Sequence, residues 1–126
     1  MSISNIPAAA PFGFSEYTDT NIGATADGIK ASSTVLTSVS INNTSNVATS
    51  YVKLYNVASG SVTVGSTVPD DVISVPANQT VTVVYQTAAS PGKTFGNALS
   101  ACCVTTGGTA GTISPSASVI CTFSYI

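Results

Sequence analysis

From residue 33 onward, apolar side chains recur at alternate positions in short runs separated by turn-forming residues, a period of two that strands satisfy and helices do not. Val35, Val39 and Ile41 share one face of the first run, with Thr37 between them and Ser38 and Ser40 opposite. Residues 42–46 break the pattern, because Asn side chains bond their own backbone and tolerate left-handed conformations. A second run over residues 49–57 points Val52 and Leu54 one way and Tyr51, Lys53 and Tyr55 the other. Short strands follow around Val62 and Val64, over residues 72–75 and over residues 80–85, where Val81, Val83 and Tyr85 share a face. Residues 90–93 form a loop, and a strand over about residues 97–105 follows. Gly107, Gly108 and Gly111 then open a long connection, since glycines so closely spaced cannot hold a strand. In the last run, residues 117–125, Val119, Cys121, Phe123 and Tyr125 oppose Ser118, Thr122 and Ser124. Seven or eight short strands joined by turns predict an all-β chain, an antiparallel, jelly-roll-like β-sandwich with no helix of ordinary length.

Residues 1–32 read differently. Pro7, Pro11, Gly13, Gly23 and Gly28 interrupt them, and no periodic face is long enough to bury. This segment is expected to be an extended N-terminal arm, with the sandwich domain at residues 33–126. Its apolar side chains, Phe12, Phe14, Tyr17 and Ile22 among them, require cover, and a neighbouring subunit is the expected source.

Only 8 of the 126 residues carry charge, with 3 Lys, no Arg, 4 Asp and 1 Glu, while 19 Ser and 18 Thr supply the polar surface. The absence of His removes Ser-His-Asp and Cys-His catalysis, His-ligated metals and the usual base near neutral pH. No catalytic, cofactor-binding or metal-binding residue is assigned, and the chain is expected not to be an enzyme. A net charge of -2 without Arg gives nucleic acid little to pair with. The longest apolar run, Ala101-Cys102-Cys103-Val104, is far short of the roughly 18 residues of a membrane helix, so neither nucleic acid nor membrane is an expected partner. The first residues lack a basic region followed by a continuous apolar stretch, which predicts folding in a cytoplasm.

Several local patterns have an ordinary explanation. Gly92-Lys93-Thr94 matches the end of a phosphate-binding loop, but Thr87 stands where its first glycine belongs and no helix follows. Asp70-Asp71 is the only adjacent carboxylate pair, and a hard cation needs about six oxygen ligands, so a solvated turn is expected. Cys102 and Cys103 are neighbours on opposite faces of a strand; with Cys121 they suit buried free thiols, a three-thiolate site being the alternative. Tyr51, Lys53 and Tyr55 form a stripe that fits either cross-strand packing or a partner interface.

The runs Tyr51-Val52-Lys53-Leu54-Tyr55, Val64-Gly65-Ser66 with Pro69, Val75-Pro76-Ala77-Asn78-Gln79-Thr80-Val81-Thr82-Val83, and Phe95 with Ala98-Leu99-Ser100 resemble small virion-associated β-sandwich proteins of tailed bacteriophages. The resemblance covers residues 35–106 and rests on strand and turn residues. It implies a capsid decoration, or cement, protein on the outside of the phage head. Such a protein locks neighbouring major-capsid subunits, is often a homotrimer, and assembles in the bacterial host cytoplasm; no catalytic residues come with it. Phe12, Phe14, Tyr17, Ile22, Tyr51, Lys53 and Tyr55 are the expected partner interface, toward the major capsid protein or a second copy. The alternative is a tail-fibre or carbohydrate-binding host-recognition module, although sugar sites usually present aromatic rings and this chain has no Trp.

Overall fold

The structure, a computed structural model, describes residues 14–126. Among these residues, nine strands carry the fold: β1 (Ser15–Asp19), β2 (Asp27–Lys30), β3 (Thr34–Asn42), β4 (Ser50–Tyr55), β5 (Asp71–Val75), β6 (Thr80–Val84), β7 (Lys93–Phe95), β8 (Leu99–Val104) and β9 (Ile120–Tyr125). Among the described residues the only helical element is a 3-10 turn at Ser59–Ser61.

All strand pairings are antiparallel, and they nest. β4 pairs with β5, β3 with β6, β2 with β8 and β1 with β9, as though the chain were one long ribbon folded back at the β4–β5 connection. Wrapping that ribbon brings β3 against β9 and β4 against β8. Two sheets result: sheet A in the order β1-β9-β3-β6, with β7 also on β3, and sheet B in the order β2-β8-β4-β5. This is the jelly-roll form of the β-sandwich. Between the sheets lies one core, in which Leu36, Val39, Ile41, Cys121 and Phe123 of sheet A meet Val52, Leu54, Ile73, Val75, Leu99 and Cys103 of sheet B.

The structure departs from the sequence reading in four places. The expected boundary at residue 33 is absent: β1 is the edge of sheet A, β2 is the edge of sheet B, and Ile22 and Ile29 lie in the common core. The described part of the arm is therefore half of the jelly roll's outer ribbon. Its strands are only five and four residues long, and Gly28 with a register shift at Gly28/Lys30 interrupts β2, so no period of two stands out. Second, the side-chain phase of β3 changes along its length. A register shift between Leu36 and Ser38 inserts Thr37, so Leu36, rather than Val35, joins Val39 and Ile41 in the core. Thr37 is buried there, and its hydroxyl donates to the Ser124 carbonyl at 2.8 Å. Third, Val62 and Val64 belong to a loop rather than a strand. Fourth, Lys93–Phe95 forms β7 against the start of β3. Gly92 makes that approach possible: at φ +152 its backbone runs so close to Leu36 that any Cβ would collide with the Leu36 carbonyl.

Candidate interface

The sequence-predicted interface residues divide by location. Phe12 lies outside the described residues. Phe14 and Tyr17 are half-buried, and Tyr17 packs its ring 6.4 Å from that of Phe123. Ile22 is a core residue. Of the stripe on β4, Tyr51 is half-buried, whereas Lys53 and Tyr55 are both 0% exposed. Ile22, Lys53 and Tyr55 thus offer no surface to a partner, because the cover that they need comes from the chain itself.

That cover consists of two connections lying on the outer face of sheet B. The β8–β9 connection supplies Gly107, against the Tyr51 ring, and the carbonyls of Ala110 and Thr109, to which Lys53 Nζ donates at 2.6 and 3.4 Å. A buried ammonium is tolerable because carbonyl oxygens replace part of its hydration. The β4–β5 connection supplies the Val57 carbonyl, which accepts from Ser100 Oγ at 2.8 Å. The two connections meet at Gly65, whose φ of +92 and closeness to Thr112 (2.7 Å from a Cβ placed there) leave room only for glycine. Beneath them, the Tyr55 hydroxyl lies 3.5 Å from Cys102 Sγ. Burial pushes the Tyr55 hydroxyl and the Cys102 thiol above their ordinary pKa values.

The remaining cysteines face the other way. Cys103 and Cys121 lie in the core, and burial pushes the Cys103 thiol up to about 12 and Cys121 in the same direction. All three are buried free thiols: Cys102 lies under the cover of sheet B, while Cys103 of sheet B and Cys121 of sheet A face the common core. They behave as the small apolar side chains anticipated for them.

An asparagine knot fixes one end of the sandwich and the covering connection with it. Asn43, fully buried, donates through Nδ2 to the carbonyls of Ala48, Val75 and Pro76 and accepts at Oδ1 from Asn46 Nδ2 and Ser50 Oγ. Asn46 in turn donates to the Ala117 carbonyl and accepts from the Ala117 backbone N–H at 2.9 Å. The sequence reads residues 42–46 as a break between strands made by Asn side chains that bond their own backbone, and no local pattern distinguishes an Asn that caps its own loop from one that ties three loops together. At the β5–β6 edge, Tyr85 donates its hydroxyl to Asp71 Oδ2 at 2.6 Å, joining the two sheets. Burial is the main cause that raises the Tyr85 pKa.

Sheet A presents the contrasting surface. Its register aligns Thr18, Thr122, Ser40 and Thr82 in one row across four strands, and Glu16, Ser124, Ser38 and Val84 in the next. Adjacent strands are about 4.8 Å apart, so the hydroxyls stand within reach of one another. The oxygens of Thr18 and Thr122 are 3.1 Å apart, Thr82 Oγ1 donates to Ser40 Oγ at 3.3 Å, and Ser124 Oγ donates to Glu16 Oε2 at 3.5 Å. Glu16 is the single ionisable side chain in these two rows. Neutral hydroxyls that already have partners cost far less to remove from water than carboxylates or ammonium groups do. A four-strand face with one charge is consequently suited to close, charge-poor contact with another protein. In comparisons with protein-family models, with curated proteins and with solved structures, nothing matches this chain.

Proposed function

We propose that the protein is a non-enzymatic structural component of a virion: a capsid decoration protein that binds the outside of a phage head and locks neighbouring major-capsid subunits. The observation that carries this reading is the difference between the two outer faces. The central strands of sheet B, β4 and β8, are covered by the chain's own connections, while the hydroxyl rows of sheet A form a broad and nearly uncharged face. The resemblance of residues 35–106 to small virion-associated sandwich proteins supports the same reading, and the jelly roll is an architecture that capsid proteins use. Fold alone does not assign function, since lectins use the same architecture.

In this reading the rows containing Thr18, Thr122, Ser40 and Thr82 meet the major capsid protein. Copies associate as a homotrimer on the capsid surface after assembly in the host cytoplasm. The host-recognition alternative has less support, because those two rows contain no aromatic ring on which a sugar could stack. Gel densitometry of purified particles tests the proposal. A copy number of the same order as that of the major capsid protein is expected; a few copies per particle would indicate a tail-associated recognition module, and absence from particles would overturn both readings.

A further inference from the structure

The edge formed by β1 and β2 contains an electrostatic arrangement that the proposed function does not use. Asp19 ends β1 opposite Cys121, and Asp27 begins β2 opposite Ala101. Cys121 and Ala101 are both core residues, so the two carboxyl groups enter the space between the sheets from opposite sides of one edge. Asp19 has a donor, the Asn21 backbone N–H at 2.8 Å from Oδ1. Asp27 Oδ2 is removed from solvent and has no hydrogen-bond partner. Its neighbour, Asp19, is itself an acceptor when ionised, and two carboxylates in contact repel. A single proton satisfies both demands, because the protonated Asp27 becomes a donor to Asp19.

We propose that Asp27 and Asp19 hold one proton between them as a latch across the β1–β2 edge, closed in acid and weakened as the solution passes to neutrality. The other titratable groups that these carboxyls influence are Tyr17 on β1, Cys121 on β9 and Cys102 on β8. All three are uncharged when protonated, and burial pushes each of them upward, so none competes for the proton in this range. Burial, followed by the contact with Asp19, raises Asp27 from 3.8 to about 7.

The direction of the pH effect follows from linkage. Between about pH 4 and pH 7 the folded chain holds a proton that the unfolded chain has lost, so the latch contributes fully below that window and its contribution disappears as pH rises through it. The test uses the full chain and two readouts. In carboxyl carbon NMR, Asp27 is expected to titrate with a midpoint near 7, and a midpoint near its ordinary 3.8 overturns the latch. In thermal unfolding, the wild-type Tm is expected to fall between about pH 4 and pH 7. Asp27→Asn, whose amide donates to Asp19 at every pH, is expected to lose that decline and to melt above wild type at pH 7.5. The same decline in both proteins overturns the proposal, and the NMR midpoint decides the matter if the variant does not fold.

Discussion

The two sheets of this jelly roll have the same strand count along their main paths and opposite exteriors. The centre of sheet B is buried on both faces: every residue of β8 from Leu99 to Val104 is buried, as are Lys53 and Tyr55 on the side away from the core, while Gly28 and Lys30 of β2 and Ser74 of β5 are exposed at its margins. Sheet A is buried on one face and displays hydroxyls on the other. The lesson concerns what alternation in a sequence means. On β9, Cys121 and Phe123 against Thr122 and Ser124 report a core face and a solvent face faithfully. On β4, alternation between aliphatic and amphipathic residues reports two buried faces of different chemistry. A Lys with a long apolar stem and a Tyr with a polar tip suit a layer covered by loop backbone, which provides carbonyls rather than side chains.

The contrast can be broken most severely at Lys53. Lys53→Ala removes a buried stem and leaves the Ala110 and Thr109 carbonyls without their donor, at an expected cost of about 3 kcal/mol in denaturant unfolding. A loss under about 0.5 kcal/mol, the range of ordinary surface positions, would mean that the covering connection leaves Lys53 in water. Asn46→Ala is expected to cost about 2 kcal/mol, because it unties the end of that connection at Ala117. It also sharpens the comparison through the thiols. None of the three cysteines is expected to react with a thiol reagent in the native protein at pH 8, since burial keeps each protonated. In Asn46→Ala, Cys102, under the loosened cover, should be labelled ahead of Cys103 and Cys121 in the core. Equal rates for all three would point to global unfolding instead. The smallest effect is expected on sheet A: Ser40→Ala removes one acceptor from a half-exposed row and should change stability by no more than about 0.5 kcal/mol.

Strands from β3 onward were legible where a regular period of two met a turn signal, as in β6 and β9, and the sandwich followed from them. β1 and β2 were not legible as strands. At five and four residues they are too short for a period to stand out, and what stabilises them is pairing with β9 and β8, at the far end of the chain. The same remoteness concealed the rest. The alternation in the sequence puts Tyr51, Lys53 and Tyr55 on one face, but the lid that closes it lies more than 50 residues onward, in a glycine-rich connection with no pattern of its own. Asp19 and Asp27 are eight positions apart in sequence and come together only because β1 and β2 enter different sheets. The hydroxyl rows of sheet A are the converse case. Ser40 and Thr122 read as the outward side of their strands, nothing in the sequence joins them to Thr18 or Thr82, and only the register makes the four a row.

Whether that row is a docking face is decided by placing a charge in its middle. Thr122→Arg puts a guanidinium on the outer face of β9, where the wild-type side chain is partly exposed and makes its hydroxyl contact with Thr18. Stability should therefore change little, and Tm controls establish that the variant is folded. Binding is then measured against phage heads that lack the protein, with wild type alongside. If sheet A is the face that meets the shell, a bulky guanidinium that must be taken out of water there should weaken binding by tenfold or more, about 1.4 kcal/mol. A folded Thr122→Arg that binds the heads as tightly as wild type would contradict the assignment of this face.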